Sequence, residues 1–283
     1  MQSFDFKELV EVLRRLGLRR GDLLNIHSRL FTLGSIRGVP VKEIPAAVLK
    51  AFQEVIGPEG TVVVPTYTTA FGRFGAPFVL EESPSEMGVF SEHVRKSPGS
   101  ARTLHPIQSL AALGGRAAKL AADHPRWNVG HDTIWDRMLK GGGKMVSVGI
   151  PVSRSISFMH QVEHLACVPY QYPKILRGEV RAAGRRITHD FYLSARYLQY
   201  EIAYDLARFE KDLEKASALR CEPLGGNGIW AVPLQAAFDI GMSGLRQDPY
   251  YLLEKPPAFI PGEMPCDGTT IEREGAAPLY FLV

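Results

Sequence analysis

The chain is 283 residues long, 45% hydrophobic and 22% charged, with a formal net charge of +3. That length can bury the core of one large α/β domain, and that composition excludes a largely disordered chain. The weak positive balance is compatible with a phosphorylated ligand but is far from the basic surface that nucleic acid requires, so no nucleic-acid partner is expected.

The longest apolar runs, such as Thr61-Val62-Val63-Val64-Pro65, fall far short of the about 18 to 20 residues of a membrane span. The start, Met1-Gln2-Ser3-Phe4-Asp5-Phe6-Lys7-Glu8, has acidic residues early and no basic region followed by an apolar stretch. A secretory leader and a membrane partner are therefore not expected, and the chain reads as cytoplasmic. Three cysteines, Cys167, Cys221 and Cys266, are an odd number without Cys-x-x-Cys spacing, which points to reduced thiols rather than a disulfide framework or a zinc ribbon.

Leu9, Val10, Leu13 and Leu16 fall at helical spacing and Gly17 follows them, so residues 4–16 read as an amphipathic helix. Leu23-Leu24-Asn25-Ile26-His27 is the next strand, and it delivers His27 and Ser28 at its carboxyl end, where open α/β sheets place ligands. Ile44, Val48, Phe52 and Val55 predict a second helix, broken by Gly57-Pro58-Glu59-Gly60 before the β-branched run Thr61 to Val64. A helix around 86–96, a strand at 109–113 and another at 144–149 continue the alternation. Residues 178–190 read as a hairpin about Ala183-Gly184, and 191–216 as a long helical stretch.

Beyond Pro256 the sequence turns rich in Gly and Pro. The expected architecture is α/β: a single domain over residues 1–255, with a central mixed β-sheet flanked by helices, and an irregular C-terminal tail over 256–283. No Gly-x-Gly-x-x-Gly or Gly-x4-Gly-Lys-Ser/Thr run is present, which argues against a dinucleotide fingerprint or a P-loop.

Three polar clusters combine histidine with hydroxyl residues: His27-Ser28, His105-Pro106-Ile107-Gln108-Ser109, and Ser157 to Glu163. His160 and Glu163 are one helical turn apart, close enough to hydrogen-bond, and a carboxylate beside an imidazole suits a general base. The same residues spell His160-Gln161-Val162-Glu163-His164, the His-x-x-Glu-His string of inverted zinc peptidases. That alternative needs a third protein ligand, for which the sequence offers no clearly placed acid. A structural reading, with Glu163 near a helix N-terminus, stands beside both.

The order and spacing of these clusters resemble the aminoglycoside 3-N-acetyltransferase family over about residues 7–255. The matching pieces begin with Leu16-Gly17, Gly21-Asp22, Ile26-His27-Ser28-Arg29-Leu30, Gly57-Pro58-Glu59-Gly60-Thr61 and Pro65-Thr66. They continue with Gly88-Val89-Phe90-Ser91-Glu92, the run Pro98 to Pro106 with Ser109, and Ser157-Phe158-Met159-His160 with Glu163. The resemblance implies an acetyl-CoA-dependent acyltransferase with a small-molecule amine acceptor such as an aminoglycoside or other amino sugar, and no metal.

It implies that His27, Ser28, Arg29, Leu30, Pro65, Thr66, His105 and Ser109 line the CoA site, with Ser28 and His105 as neighbours and Ser157 at the thioester end. It further implies that His160 is the catalytic base. Glu163, Asp190 and Asp212, the last from Phe209-Glu210-Lys211-Asp212, compete as the carboxylate that orients it. Direct transfer is expected, with Cys167 a buried inert thiol in its apolar setting. Arg177, Arg181, Arg185 and Arg186 suggest an anionic acceptor. An inactive CoA-binding homologue and a zinc hydrolase are the alternatives, and a homo-oligomer is left open.

Overall fold

The computed structural model describes residues 2–155, 157–197 and 200–259. In chain order the first elements are β1 (Ser3–Phe4), α1 (Phe6–Arg15), β2 (Leu23–Ser28), β3 (Ser35–Ile36), α2 (Ile44–Ile56), β4 (Thr61–Pro65), α3 (Ala70–Phe74), β5 (Phe78–Val79), α4 (Val89–Lys96), β6 (Ala101–Arg102) and β7 (Leu110–Gly114). They are followed by α5 (Ala117–Ala121), α6 (Ile134–Lys140), β8 (Lys144–Val148), α7 (Met159–Ala166), β9 (Gln171–Leu176), β10 (Val180–Ala182), β11 (Arg185–Ile187), β12 (Phe191–Arg196), α8 (Ala207–Lys215), β13 (Arg220–Leu224), β14 (Asn227–Pro233) and α9 (Leu234–Gln247).

Seven strands form the central sheet in the order β13-β14-β8-β2-β4-β7-β6. It is mixed, because β2 pairs in parallel with both β4 and β8 while the outer pairings are antiparallel. Helices cover both faces, and the period-2 alternation of the strands assigns each side chain to one of them. Leu24, Ile26, Val62, Val64, Val146 and Val148 face a core built with α1, α2 and α4. Leu23, Val63, Ala112 and Met145 face the opposite core, which contains Trp135 and Met138 of α6, Met159 and Val162 of α7, Phe209 and Leu213 of α8, and Ala237 of α9.

Asn25 and His27 alternate with Leu24 and Ile26, so they point to the α7 side. The expected alternation of strand and helix through Val148 is observed within a few residues of each bound. α1 starts at Asp5, whose carboxylate accepts from the Glu8 N–H at 2.7 Å, an N-cap that satisfies a donor the helix leaves unpaired. The hairpin over 178–190 is present as β10 and β11, with Ala183 and Gly184 both at positive φ in its turn.

The long helix expected over 191–216 is not. Residues Phe191–Arg196 form β12, antiparallel to β9, and helix is confined to Ala207–Lys215. Tertiary pairing decided this segment: Phe191 is buried in a third cluster with Phe71, Phe78, Ile107, Leu176 and Val180. The β9–β12 ribbon lies outside the main sheet and supplies one wall of the site. Most of the expected tail lies outside the described residues; of its described part, Phe259 packs edge-on to Tyr200 at 5.0 Å and to Tyr197 at 5.9 Å.

Candidate active site

A cavity of about 750 Å³ opens between the carboxyl ends of β2, β4 and β8, the start of α7 and the β9–β12 ribbon. His27, Tyr67, Ser157, His160, Gln171 and Tyr204 line it among others. Its volume is of the size that encloses a small-molecule ligand, and strand carboxyl ends are where α/β sheets leave room for one.

His160 sits in the first turn of α7, and Glu163 is one turn later, as the spacing predicts. The His160 Nδ1 lies 2.8 Å from Glu163 Oε2. Glu163 is fully buried, whereas the His160 ring keeps an exposed edge in the cavity wall. The carboxylate also accepts from Tyr170 Oη at 2.8 Å, Gln171 Nε2 at 2.9 Å and Tyr204 Oη at 3.3 Å. With three other donors converging on it, Glu163 serves as acceptor for the Nδ1–H of His160, and Nε2 is left with the lone pair. Burial raises the Tyr170 and Tyr204 hydroxyls above their ordinary range, and the charge of Glu163 raises them further, so both stay protonated donors. The Tyr204 ring stands edge-on to His160 at 5.8 Å, and the Arg196 guanidinium lies 5.5 Å over its face.

His27 reaches the cavity from the end of β2. Burial, with a smaller contribution from the nearby His160, depresses its pKa to about 4, so the ring is neutral at pH 7. Its Nε2 lies 3.0 Å from Asn25 Oδ1, while the Asn25 amide nitrogen donates to the Val63 carbonyl. A neutral ring donating from Nε2 leaves Nδ1 as acceptor. Tyr67, two residues past the end of β4, is held above its ordinary pKa by burial, opposed by a hydrogen bond with Ser157.

Of the other residues expected to line a CoA site, Arg29 does face the cavity. Ser28 falls on the opposite side of β2 from His27 by strand alternation, and Leu30 is buried in the α1–α2 core. Pro65 ends β4, and Thr66 and Ser109 are both buried behind the wall. Ser109 Oγ donates to the Thr66 carbonyl at 2.9 Å, and Arg102 Nε donates to Ser109 Oγ at 2.9 Å. His105 is fully buried: its Nδ1 accepts from the Gln108 N–H at 2.9 Å, and its Nε2 faces the Tyr192 carbonyl at 3.1 Å. Burial depresses its pKa to about 3. It shapes the turn that presents Gln108 to the cavity, and its ring partners do not include Ser28.

Glu163, rather than Asp212 or Asp190, is the carboxylate at His160. Asp212 lies at the surface of α8, where it accepts from Lys215 Nζ and Tyr251 Oη, each at 2.7 Å, because the helix turns Phe209 and Leu213 inward. Asp190 faces Arg177 at 3.9 Å. Arg181 pairs with Glu179, and none of Arg177, Arg181, Arg185 or Arg186 lines the cavity. Cys167, expected to be a buried thiol, is exposed: it ends α7 in the left-handed region at φ 53°. The His164 ring lies tilted against Trp127, with centroids 5.4 Å apart, and among the described residues no group of three His, Cys, Asp or Glu side chains is arranged to hold a metal ion.

Tyr67, Tyr170, Gln171 and Tyr204 are the site residues that the sequence pattern did not single out. Tyr67 follows the Pro65-Thr66 match, which is a local signal; the other three reach Glu163 from the α7–β9 connection, β9 and the segment after β12 only through packing.

The family model for aminoglycoside 3-N-acetyltransferase matches residues 26–246. Aminoglycoside N(3)-acetyltransferase VII of Streptomyces paromomycinus is 32% identical over 197 residues, 60% of this chain and 66% of that protein. Aminoglycoside N(3)-acetyltransferase III of Salmonella sp is 29% identical over 199 residues, 62% of this chain and 68% of that protein. The chain thus spans about two thirds of the length of these relatives. Among solved structures, aminoglycoside acetyltransferase AAC(3)-Xa superposes with a TM-score of 0.73 at 23% identity, covering 88% of this chain and 94% of its own. AAC-IIIb in binary complex with CoASH superposes with a TM-score of 0.71 at 22% identity, covering 87% and 97%. The fold is theirs, and the match across 26–246 shows that this chain belongs to the aminoglycoside 3-N-acetyltransferase family.

Proposed function

We propose that the protein is an acetyl-CoA-dependent N-acetyltransferase that modifies an amino group of an aminoglycoside or other amino sugar by direct transfer, with His160 as general base. The observation that carries this reading is the His160 Nδ1 to Glu163 Oε2 contact of 2.8 Å in the wall of the cavity. The names of the relatives support acetyl transfer to an amine, and the neighbour in complex with CoASH supports the co-substrate.

His160 Nε2 accepts a proton from the acceptor amine as its nitrogen bonds to the thioester carbonyl carbon. The carbon–sulfur bond then breaks and the thiolate of CoA leaves. Glu163 holds the imidazole in the tautomer that exposes Nε2 and stabilises the imidazolium that forms. Ser157, which shares the cavity wall with Tyr67, faces the thioester end. His27 and Arg29 contact CoA directly, while Ser28, Leu30, Pro65, Thr66, His105 and Ser109 shape that part of the site from behind. Asp212, tied to Lys215 and Tyr251, supports α8 rather than the base.

The test is release of free thiol from acetyl-CoA over a panel of amines, with and without a chelator. Turnover unaffected by chelator is expected, and His160→Ala should lower kcat by about 10²- to 10⁴-fold. Retained turnover in that variant would overturn the assignment of the base. Ping-pong kinetics or a trapped acetyl-enzyme would overturn direct transfer, and CoA binding without turnover on any amine would leave an inactive homologue.

A further inference from the structure

Cations outnumber carboxylates in the wall of the cavity. Arg29, Arg73, Arg154, Lys174 and Arg196 line it against two carboxylates, Asp205 and Glu254, both on exposed residues. The cations divide between two parts of the wall. Arg29 and Arg154 belong to the segments that follow β2 and β8, which pair side by side, and the Arg29 N–H donates to the Val148 carbonyl at 2.8 Å. Arg73 belongs to α3, whose Phe71 packs with Leu176 and Phe191 of the ribbon, and Lys174 and Arg196 are ribbon residues.

Arg73 stands apart in its hydrogen bonding. Arg196 donates to the Ile202 carbonyl at 3.1 Å and covers the Tyr204 ring. By contrast, Nε and Nη2 of Arg73 are buried and have no hydrogen-bond partner among the described residues. Buried donors of a charged group are costly to leave unmade. Nε and Nη2 are the side-on fork of a guanidinium, whose two parallel N–H groups match two oxygens of one phosphate or carboxylate. The segment that carries it, Thr66 to Leu80, contains no Asp or Glu, and the Glu86 carboxylate that reaches it is engaged by Thr69 and Ala70 at the start of α3, so the excess of cations over carboxylates in the cavity wall disfavours a polycation there.

We infer that the Arg73 fork receives an anionic group, a phosphate or a carboxylate, carried by the acceptor, so that the preferred substrate is an amino sugar bearing an acid rather than a polycation. This rests on the acetyltransferase reading above. The acceptor is the source because Arg29 and Arg154 already flank His27 and Ser157, the side that reading assigns to CoA.

The experiment measures thiol release by wild type, Arg73→Gln and Arg73→Lys with glucosamine, glucosamine 6-phosphate and kanamycin, and then with acetyl-CoA or its 3′-dephospho form as the varied substrate. Wild-type kcat/KM for glucosamine 6-phosphate should exceed that for glucosamine by about 10- to 100-fold. Arg73→Gln should lose this advantage through KM, Arg73→Lys should recover part of it, and neither should change the KM for acetyl-CoA. Two results overturn the inference: kanamycin as the best acceptor with Arg73→Gln indifferent to phosphate, or Arg73→Gln raising the acetyl-CoA KM and erasing discrimination against the 3′-dephospho form, which assigns the fork to CoA.

If no amine is acetylated, the acetyltransferase reading fails, and calorimetric binding of glucosamine 6-phosphate still decides the fork. Binding lost in Arg73→Gln supports it, and binding that is equal or absent removes it. Arg73→Lys, which keeps the charge without the fork, carries the comparison should Arg73→Gln not fold.

Discussion

Glu163 combines full burial with four donors, so its replacement affects both rate and stability. In Glu163→Gln the amide must present N–H groups to donors that expect an acceptor, and the His160 tautomer that exposes Nε2 loses its support. We expect kcat to fall by about 10²- to 10⁴-fold, as when a positioned base is lost. The KM for acetyl-CoA should stay within a few-fold, a split that a merely structural role would not produce. Unfolding free energy should fall by about 1–3 kcal/mol for the unsatisfied buried groups.

The buried histidines make a separate prediction. His105 and His27 have folded-state pKa values of about 3 and about 4, lowered chiefly by burial, with His124 adding to the shift at His105 and His160 adding to that at His27. Both lie below the value of about 6.5 in an unfolded chain, so the unfolded state binds more protons between those limits. The stability they contribute is therefore fully present above about pH 6.5 and is lost as pH falls toward 4, at about 1.4 kcal/mol per pH unit for each ring. Thermal unfolding at pH 7.5, 6 and 5 checks this, and His105→Gln should show a shallower pH dependence; an unchanged slope would exclude His105 as a source.

The same scale shows what spacing alone could reveal. His160 and Glu163 were legible because one turn of helix brings them together whatever the rest of the chain does. Asp212 fitted a pattern equally well, yet the direction of its helix, set by Phe209 and Leu213 packing inward, carries its carboxylate to Tyr251.

At the scale of elements, the ends of β2 and β8 are joined tightly enough that one backbone position controls the loop beside the site. Gly149, immediately after β8, has φ of +69°, and a Cβ there would come within 2.7 Å of the Arg29 carbonyl and also meet Thr32. Only glycine fits such a place without strain. Gly149→Ala should therefore cost about 1–3 kcal/mol of stability and raise the KM for acetyl-CoA by displacing Arg29, with a smaller effect on kcat. Calorimetric unfolding and steady-state kinetics together test this, and an unchanged KM would separate the loop from the CoA side.

The β9–β12 ribbon is the element that sequence reasoning misassigned. Its second strand, Phe191–Arg196, lies in a region whose continuation at Ala207 is truly helical. Only the partner strand, with Phe191 opposite Leu176 and Arg196 opposite Gln171, makes the extended form the stable one. The error matters for function, because the ribbon supplies Gln171 to Glu163 and Arg196 to the cavity.

For the whole molecule, ligand linkage offers a test independent of catalysis. CoA at 100 times its dissociation constant should stabilise the folded chain by about 2.7 kcal/mol, which raises the melting temperature by about 5 °C for a chain of this size. Because the proposed CoA side comprises His27, Arg29 and Ser157 rather than the base, His160→Ala should keep that shift. Loss of the shift in His160→Ala would mean that the imidazole holds CoA as well as taking the proton.

Much of the architecture was readable before any coordinates. The alternating strands and helices from Phe6 to Val148 follow from local periodicity and from Gly and Pro breaks, which act within a few residues and need no distant partner. The order of the His27, His105 and His160 clusters identified the family for the same reason, since each motif is contiguous. What packing alone decided is which of those residues meet. Strand alternation turned His27 toward α7 and Ser28 away from it, burial made His105 a support for a turn, and the folding back of the ribbon gathered Gln171, Tyr170 and Tyr204 around Glu163. The charge of the cavity was likewise out of reach of the sequence. The arginines that stood out in the hairpin, Arg177 to Arg186, lie outside the cavity, and those that line it come from loops and strands far apart in the chain. Convergence of this kind depends on burial and long-range pairing, which no local pattern encodes.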